Sequence, residues 1–159
     1  MAFKTINALI IFLFISLNSS AQALNPDSVV YQVFDALTAE PAPLPTNIDD
    51  LLIGPEWEAL AYWEMGQPKQ LEYLNEAVGD VYQFQPTSFV IKLVDPNNPR
   101  TYLKAVTGSL SRKERNLTLL ASNGNQLAIT IIFIDSNYMV LELDGLRLFF
   151  SQARSFNAQ

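Results

Sequence analysis

The side chains that most often perform chemistry in proteins are missing from this chain. Its 159 residues include no histidine and no cysteine. Their absence excludes Ser-His-Asp and Cys-His catalysis, thiolate redox chemistry and metal sites built from imidazole or thiolate. We therefore predict no metal and no cofactor. Carboxylate pairs remain, and these could support acid–base chemistry of the glycosidase type.

The spacing of the carboxylates argues against such an enzyme. Glu58 and Glu64 are expected on the same face of one strand, about 20 Å apart at about 3.3 Å per residue. Two carboxyl groups acting on one glycosidic bond lie within about 10 Å of each other. Asp49 and Asp50 follow a proline-rich stretch and are expected in solvent. An enzyme that uses carboxylates alone is the least favoured function, and we predict a non-catalytic protein.

Aromatic residues are the remaining signal, and two interpretations of them stay open. They occur in most of the predicted strands, which is typical of a packed sheet core. A packed core is the favoured interpretation, and the alternative is that several of them line a cavity for an apolar ligand. In the second case we predict that the ligand contacts Tyr82, Phe84, Phe89 and Tyr102.

Charge is distributed unevenly along the chain. Residues 24–95 include twelve acidic and two basic residues, whereas residues 96–159 include four acidic and seven basic ones. The net charge of −6 argues against nucleic acid or an anionic membrane as partner. The basic cluster Arg112-Lys113-Glu114-Arg115 is predicted to be a solvated hairpin tip.

The first 23 residues have the pattern of a cleavable secretory signal peptide. Lys4 precedes an apolar stretch at 8–17, and Ala21-Gln22-Ala23 provides small residues for cleavage after Ala23. The apolar stretch is shorter than the roughly 20 residues needed to span a bilayer, which disfavours the alternative of an uncleaved anchor. We predict a secreted or periplasmic protein whose mature chain is not stably inserted in a membrane. An exported chain without cysteines is more typical of bacteria.

Hydrophobic periodicity divides the mature chain into an amphipathic helix with a proline-rich spacer at 24–50 and an antiparallel β-domain at 51–159. Asn25-Pro26-Asp27 is a typical helix start, and Pro41 ends the helix. Alternating runs separated by Asn-Gly, Asp-Gly and similar turns predict a meander of eight strands. The strands are expected at 57–64, 81–84, 88–94, 101–109, 116–121, 126–133, 138–143 and 146–150. Residues 68–79 fit a short helix, a strand or a loop.

The segment Ile53-Gly54-Pro55-Glu56-Trp57 resembles the Gly-x-Trp opening strand of lipocalin-like domains, with one extra residue before the tryptophan. The runs from Val81-Tyr-Gln-Phe84 to Leu146-Arg-Leu-Phe-Phe150 are similar to the successive hairpins of small bacterial lipocalin-like domains. The resemblance implies an all-β, calycin-type barrel and an apolar ligand. In such a barrel Trp57 is expected to be a structural residue that plugs the closed end, with Tyr82, Phe84 and Phe89 farther up the wall.

Two functions therefore lead. The first is an exported, non-catalytic lipocalin-like module that binds a small apolar ligand. The second is a structural or protein-interaction module of the cell envelope, with an envelope protein as its partner and no ligand cavity. The sequence leaves open whether the sheet closes into a barrel.

Overall fold

A computed structural model describes residues 26–77 and 79–153 of the chain. The predicted signal peptide and Asn25 lie outside the described residues. The helices are α1 (Pro26–Thr38) and α2 (Ile48–Leu52), and a 3-10 turn covers Leu71–Tyr73. The strands are β1 (Glu56–Glu64), β2 (Leu74–Glu76), β3 (Val81–Phe84), β4 (Ser88–Asp95), β5 (Asn98–Lys113), β6 (Asn116–Ala121), β7 (Gln126–Ile134), β8 (Tyr138–Leu143) and β9 (Leu146–Gln152). All eight predicted strands are present.

The sheet closes on itself. Antiparallel pairing runs from β1 through β3 to β9 in chain order, and β9 pairs back with β1 from Glu64–Leu146 to Trp57–Gln152. The result is a closed barrel of eight antiparallel strands with β2 as an additional strand. Closure joins the two edge strands that an open meander would expose. The alternative of an open sheet is thereby excluded.

The ambiguous segment at 68–79 forms the 3-10 turn and β2. β2 pairs with Ala61–Trp63, beside the stretch of β1 that pairs with β3. The backbone N–H of Ala77 donates to the carbonyl oxygen of Leu60, and that of Ala59 donates to the carbonyl oxygen of Asp80. β2 and β3 thus share one edge of β1, and the barrel stays closed across the insert.

β-Bulges in β1 and β7 change which face of the barrel a residue occupies. In β1 the pairing with β9 shifts between Ala59 and Ala61, and in β7 the pairing with β8 shifts between Ile131 and Phe133. A bulge places one extra residue in one strand and reverses the alternation beyond it. Trp57 therefore belongs to the interior cluster, whereas Trp63 belongs to a separate outer cluster.

Helix α1 packs against the outer cluster. Val33, Phe34 and Leu37 of the helix are buried against Trp63 and Phe149 on the outside of the barrel. Arg147 fixes the end of this helix by donating to the carbonyl oxygens of Leu37 and Ala39, and its Nε donates to Glu142. A short amphipathic helix depends on such packing because it is marginal alone.

The second helix closes one end of the barrel. Ile48 and Leu52 of α2 are buried in the interior cluster, and Ile53 forms a bridge with Phe84. At this end Arg112 forms an ion pair of 2.7 Å with Asp49 of α2. We name this end, where β1 begins, the closed end.

The sequence predicted a solvated turn at the hairpin tip 112–115, but two of its side chains bind other parts of the protein. Arg112 pairs with Asp49, and half-buried Arg115 donates to the carbonyl oxygens of Ala42 and Ile131. The tip thereby holds the proline-rich spacer and α2 against the closed end, and it supplies a hydrogen-bond donor to the carbonyl oxygen of Ala42.

Candidate functional site

Three of the four predicted ligand contacts lie together in the barrel interior. Tyr82, Phe84 and Phe89 are buried in the interior cluster, and Tyr82 packs edge-on against Phe150 with ring centroids 4.9 Å apart. Tyr102 is not with them. Its side chain is 51% exposed, and the Nζ of Lys92 lies 5.7 Å from its ring centroid.

The bulge at Leu103 explains the separate position of Tyr102. Leu93 pairs with Lys104 and Val94 with Tyr102, so Leu103 is passed over in the register. Without that shift Tyr102 would share the inner face with Lys104, two residues away. A strict alternation, which sequence reasoning assumes, therefore assigns Tyr102 to the wrong face.

The interior aromatics lie closer to the closed end than the resemblance implied. Trp57 is level with Tyr82, its direct partner in β3. Phe84 and its partner Phe89 lie beyond that level, next to Ile53 and α2, rather than farther up the wall. The predicted order along the wall is therefore wrong for Phe84 and Phe89, while Trp57 is fully buried as predicted for a structural residue. The ligand contacts themselves stay a prediction.

Polar groups in the interior are few and poorly solvated. The indole Nε1 of Trp57 is buried without a hydrogen-bond partner. Burial, with a smaller contribution from the charge of Asp80, raises the pKa of Tyr82 to about 12. The half of the barrel next to the closed end is thus filled by buried, mostly apolar side chains.

The opposite end of the barrel has a different lining. On each of six consecutive strands, β4 to β9, the inner face continues toward this end with an apolar side chain that packs on the interior cluster but is only half-buried. We name this set the mouth ring: Leu93, Val106, Ala121, Leu127, Leu143 and Leu148. The ring thus lines the open end on six of the eight barrel strands, the end at which small barrels bind their ligands.

A second surface lies on the outside of the barrel. An open groove of about 610 Å³ crosses β4, β5 and β6, and its lining includes Val90, Thr107, Ser109 and Leu120. These side chains face outward because their neighbours Phe89 and Leu119 face the interior. The groove's lining also includes Phe89 of the interior cluster and Ala121 of the mouth ring, which lie on either side of Gly108.

The carboxylates of Glu58 and Glu64 lie on opposite faces of the barrel wall. Glu58 lies on the outer face beside inward Trp57, whereas Glu64 follows outward Trp63 and faces inward. The expectation that they share a face is wrong, because the bulge near Leu60 separates them. Burial raises the pKa of Glu58. No group of three acidic side chains among residues 26–77 and 79–153 is placed to hold a metal ion.

Comparison with solved structures supports the topology. A lipocalin-like protein from Bacteroides uniformis superposes with a TM-score of 0.52 at 15% identity, covering 64% of this chain and 98% of its own. The fold is that of a lipocalin-like domain. An uncharacterized protein from Bacteroides eggerthii gives a TM-score of 0.51 at 12% identity, covering 64% of this chain and 99% of its own. No family model and no curated protein matches the sequence.

The mouth ring is the feature that sequence reasoning about this lipocalin-like domain missed. Its members are mostly leucines, and the attention given to aromatics passed over them. A signal was present: Leu93, Leu127 and Leu148 each stand two positions from a residue of the interior cluster, on the open-end side. Recognising it required knowing which end α2 closes.

Proposed function

We propose that the mature chain is an exported, non-catalytic lipocalin-like module that binds a small apolar ligand at the mouth ring. The observation that carries this proposal is the ring itself, six half-buried apolar side chains around one end of a closed barrel. Water in contact with this surface would be released on binding, at about 25 cal/mol for each Å² covered. The Ala21-Gln22-Ala23 motif supports export.

The filled interior limits the depth of the site. Trp57, Phe84 and Phe150 are fully buried. Together with buried aliphatic side chains they fill the half of the barrel next to the closed end. In this proposal the ligand lies across the mouth ring and does not reach Phe84 or Phe89, so the proposal departs from the contacts predicted from the sequence. None of the described helices is long and apolar enough to cross a bilayer.

Uptake of N-phenyl-1-naphthylamine, a neutral apolar fluorophore, by residues 24–159 tests the proposal. Leu127→Asp places a carboxylate in the ring and should weaken binding of the fluorophore at least tenfold, because an ionised group resists transfer to an apolar contact. Leu120→Asp is the matched control. Leu120 lies on the neighbouring strand but faces outward and is 47% exposed, so binding should not change.

The second candidate is a structural or protein-interaction module of the cell envelope. It is favoured by the outer groove and by two exposed apolar side chains on β5, Tyr102 and Leu103, the latter 65% exposed. A folded wild-type protein that does not take up the fluorophore would overturn the ligand proposal. That outcome would leave the interaction module as the better account.

A further inference from the structure

Lys104 has an unusual place at the rim of the open end. It pairs directly with Leu93, a member of the mouth ring, and it stands two residues beyond Val106, another member. Directly opposed residues of neighbouring strands project from the same face of a sheet. The Lys104 side chain therefore starts from the inner face, above the ring, while remaining exposed.

Lys104 forms no ion pair with the residues that the structure describes. The three ion pairs formed within the described ranges use Lys92, Arg112 and Arg147, not Lys104. No acidic residue occurs at positions 96–113, so β5 supplies no carboxylate to this side of the rim. At the end of the preceding strand, the carboxylate of Asp95 accepts a hydrogen bond from the N–H of Asn97 in its own turn.

Three further carboxylates stand at the open end. Asp80 accepts a hydrogen bond from the N–H of Val94, Asp144 lies in the turn between β8 and β9, and Glu64 reaches the inner face on the far side. Glu64 ends β1 opposite Leu146, and three strand spacings separate β1 from β5 through β3 and β4. At about 4.8 Å for each spacing this is about 14 Å along the wall. Charges in solvent at that separation are largely screened at physiological ionic strength.

We infer that the ligand bound at the mouth ring is an anionic amphiphile, whose alkyl chain covers the ring and whose head group pairs with Lys104. This inference rests on the proposed function. The head group is a carboxylate, sulfate or phosphate, because each offers oxygen acceptors to a lysine ammonium group. An exposed ion pair of this kind changes affinity by up to about fivefold.

The test compares ligands of one chain length, displacing N-phenyl-1-naphthylamine from residues 24–159 below their micellar concentrations. Lys104→Gln should weaken decanoate about fivefold and leave decanol unchanged. Lys104→Glu should weaken decanoate further and strengthen decyltrimethylammonium. Lys113→Gln, an exposed lysine at the closed end, is the control and should change neither affinity.

The outcomes separate the two proposals. Equal decanoate affinity for the wild type and Lys104→Gln, with the fluorophore still bound, would overturn the anionic head group and leave the proposed function intact. A wild type that binds neither fluorophore nor decanoate would overturn both. Equal loss of decanoate affinity in Lys104→Gln and Lys113→Gln would show only a general effect of net charge and would also overturn the inference.

Discussion

Gly108 of β5 lies under the backbone of Leu120 in β6, so close that a Cβ atom at position 108 would be 2.0 Å from the Leu120 carbonyl oxygen. Near this contact the pairing of β5 with β4 ends and its pairing with β6 begins. β5 pairs with β4 up to Ser109, and with β6 only from Gly108 onward. Barrel closure at this seam therefore depends on the absence of a side chain.

Gly108→Ala is expected to destabilise the protein by about 3 kcal/mol or more, because backbone rather than a flexible side chain must move. Urea denaturation monitored by circular dichroism measures the change. Ser109→Ala is the control, since Ser109 has an exposed side chain, and it should stay within about 0.5 kcal/mol. A Gly108→Ala protein as stable as the wild type would show that β6 can move away from β5 at this position without a loss of stability.

Arg147 joins α1 to the barrel through charge-assisted hydrogen bonds at 2.7 to 2.9 Å. Arg147→Met keeps the aliphatic stem but removes the donors, and we expect a loss of about 2 kcal/mol. Emission from Trp63, which is buried under the helix, should shift to the red. Lys92→Met removes the more exposed pair with Glu56 and should cost less than about 1 kcal/mol. Equal effects of the two substitutions would contradict this role of Arg147.

The raised pKa of Tyr82 predicts a loss of stability at high pH. The unfolded chain releases the phenolic proton near pH 10, whereas the folded protein retains it until about pH 12. Stability from this group is therefore present below pH 10 and falls as the pH rises through 12, by about 2 to 3 kcal/mol. Urea denaturation from pH 9 to 11.5 should show a smaller decline for Tyr82→Phe than for the wild type. Parallel declines would mean that Tyr82 ionises freely in the folded state.

The strands and turns of this barrel could be predicted because their causes are local. Alternating side chains define each strand, and Asp144-Gly145, with positive φ at both residues, has the conformation that the sequence implied. The first helix was equally evident from its apolar spacing. α2 was not, because five residues are too few for a periodic signal.

The faces of the barrel could not be predicted, because they depend on pairing with other strands. The bulges near Leu60, Leu103 and Ile132 reverse the alternation, and nothing in the local sequence marks them. They separate Trp63 from Trp57 and move Tyr102 to the outside. The candidate site predicted from strict alternation therefore combined buried core residues with the exposed Tyr102.

The relation between the core and the mouth ring gives the last prediction. Trp57 and Phe89 are equally inaccessible to solvent, at 0% and 2% exposed, although one was expected to fill the core and the other to line a cavity. Trp57→Ala and Phe89→Ala should therefore cost similar amounts, about 3 to 5 kcal/mol each. Such losses are a large part of a small domain's stability, so Phe89→Leu provides a milder variant.

Ligand affinity should respond to substitutions in the opposite way from stability: a change in the core should leave it intact, and a change in the mouth ring should lower it. Phe89→Leu, measured at a temperature where it is folded, should bind N-phenyl-1-naphthylamine with wild-type affinity, because Phe89 is buried beside Phe84 at the closed end and is only 2% exposed. Leu127→Asp should stay closer to wild-type stability, since Leu127 is only half-buried, yet lose the fluorophore. Denaturation and fluorescence titration of the same samples measure both effects. Weaker binding by Phe89→Leu than by Leu127→Asp would place the ligand deep in the barrel and contradict binding at the mouth ring.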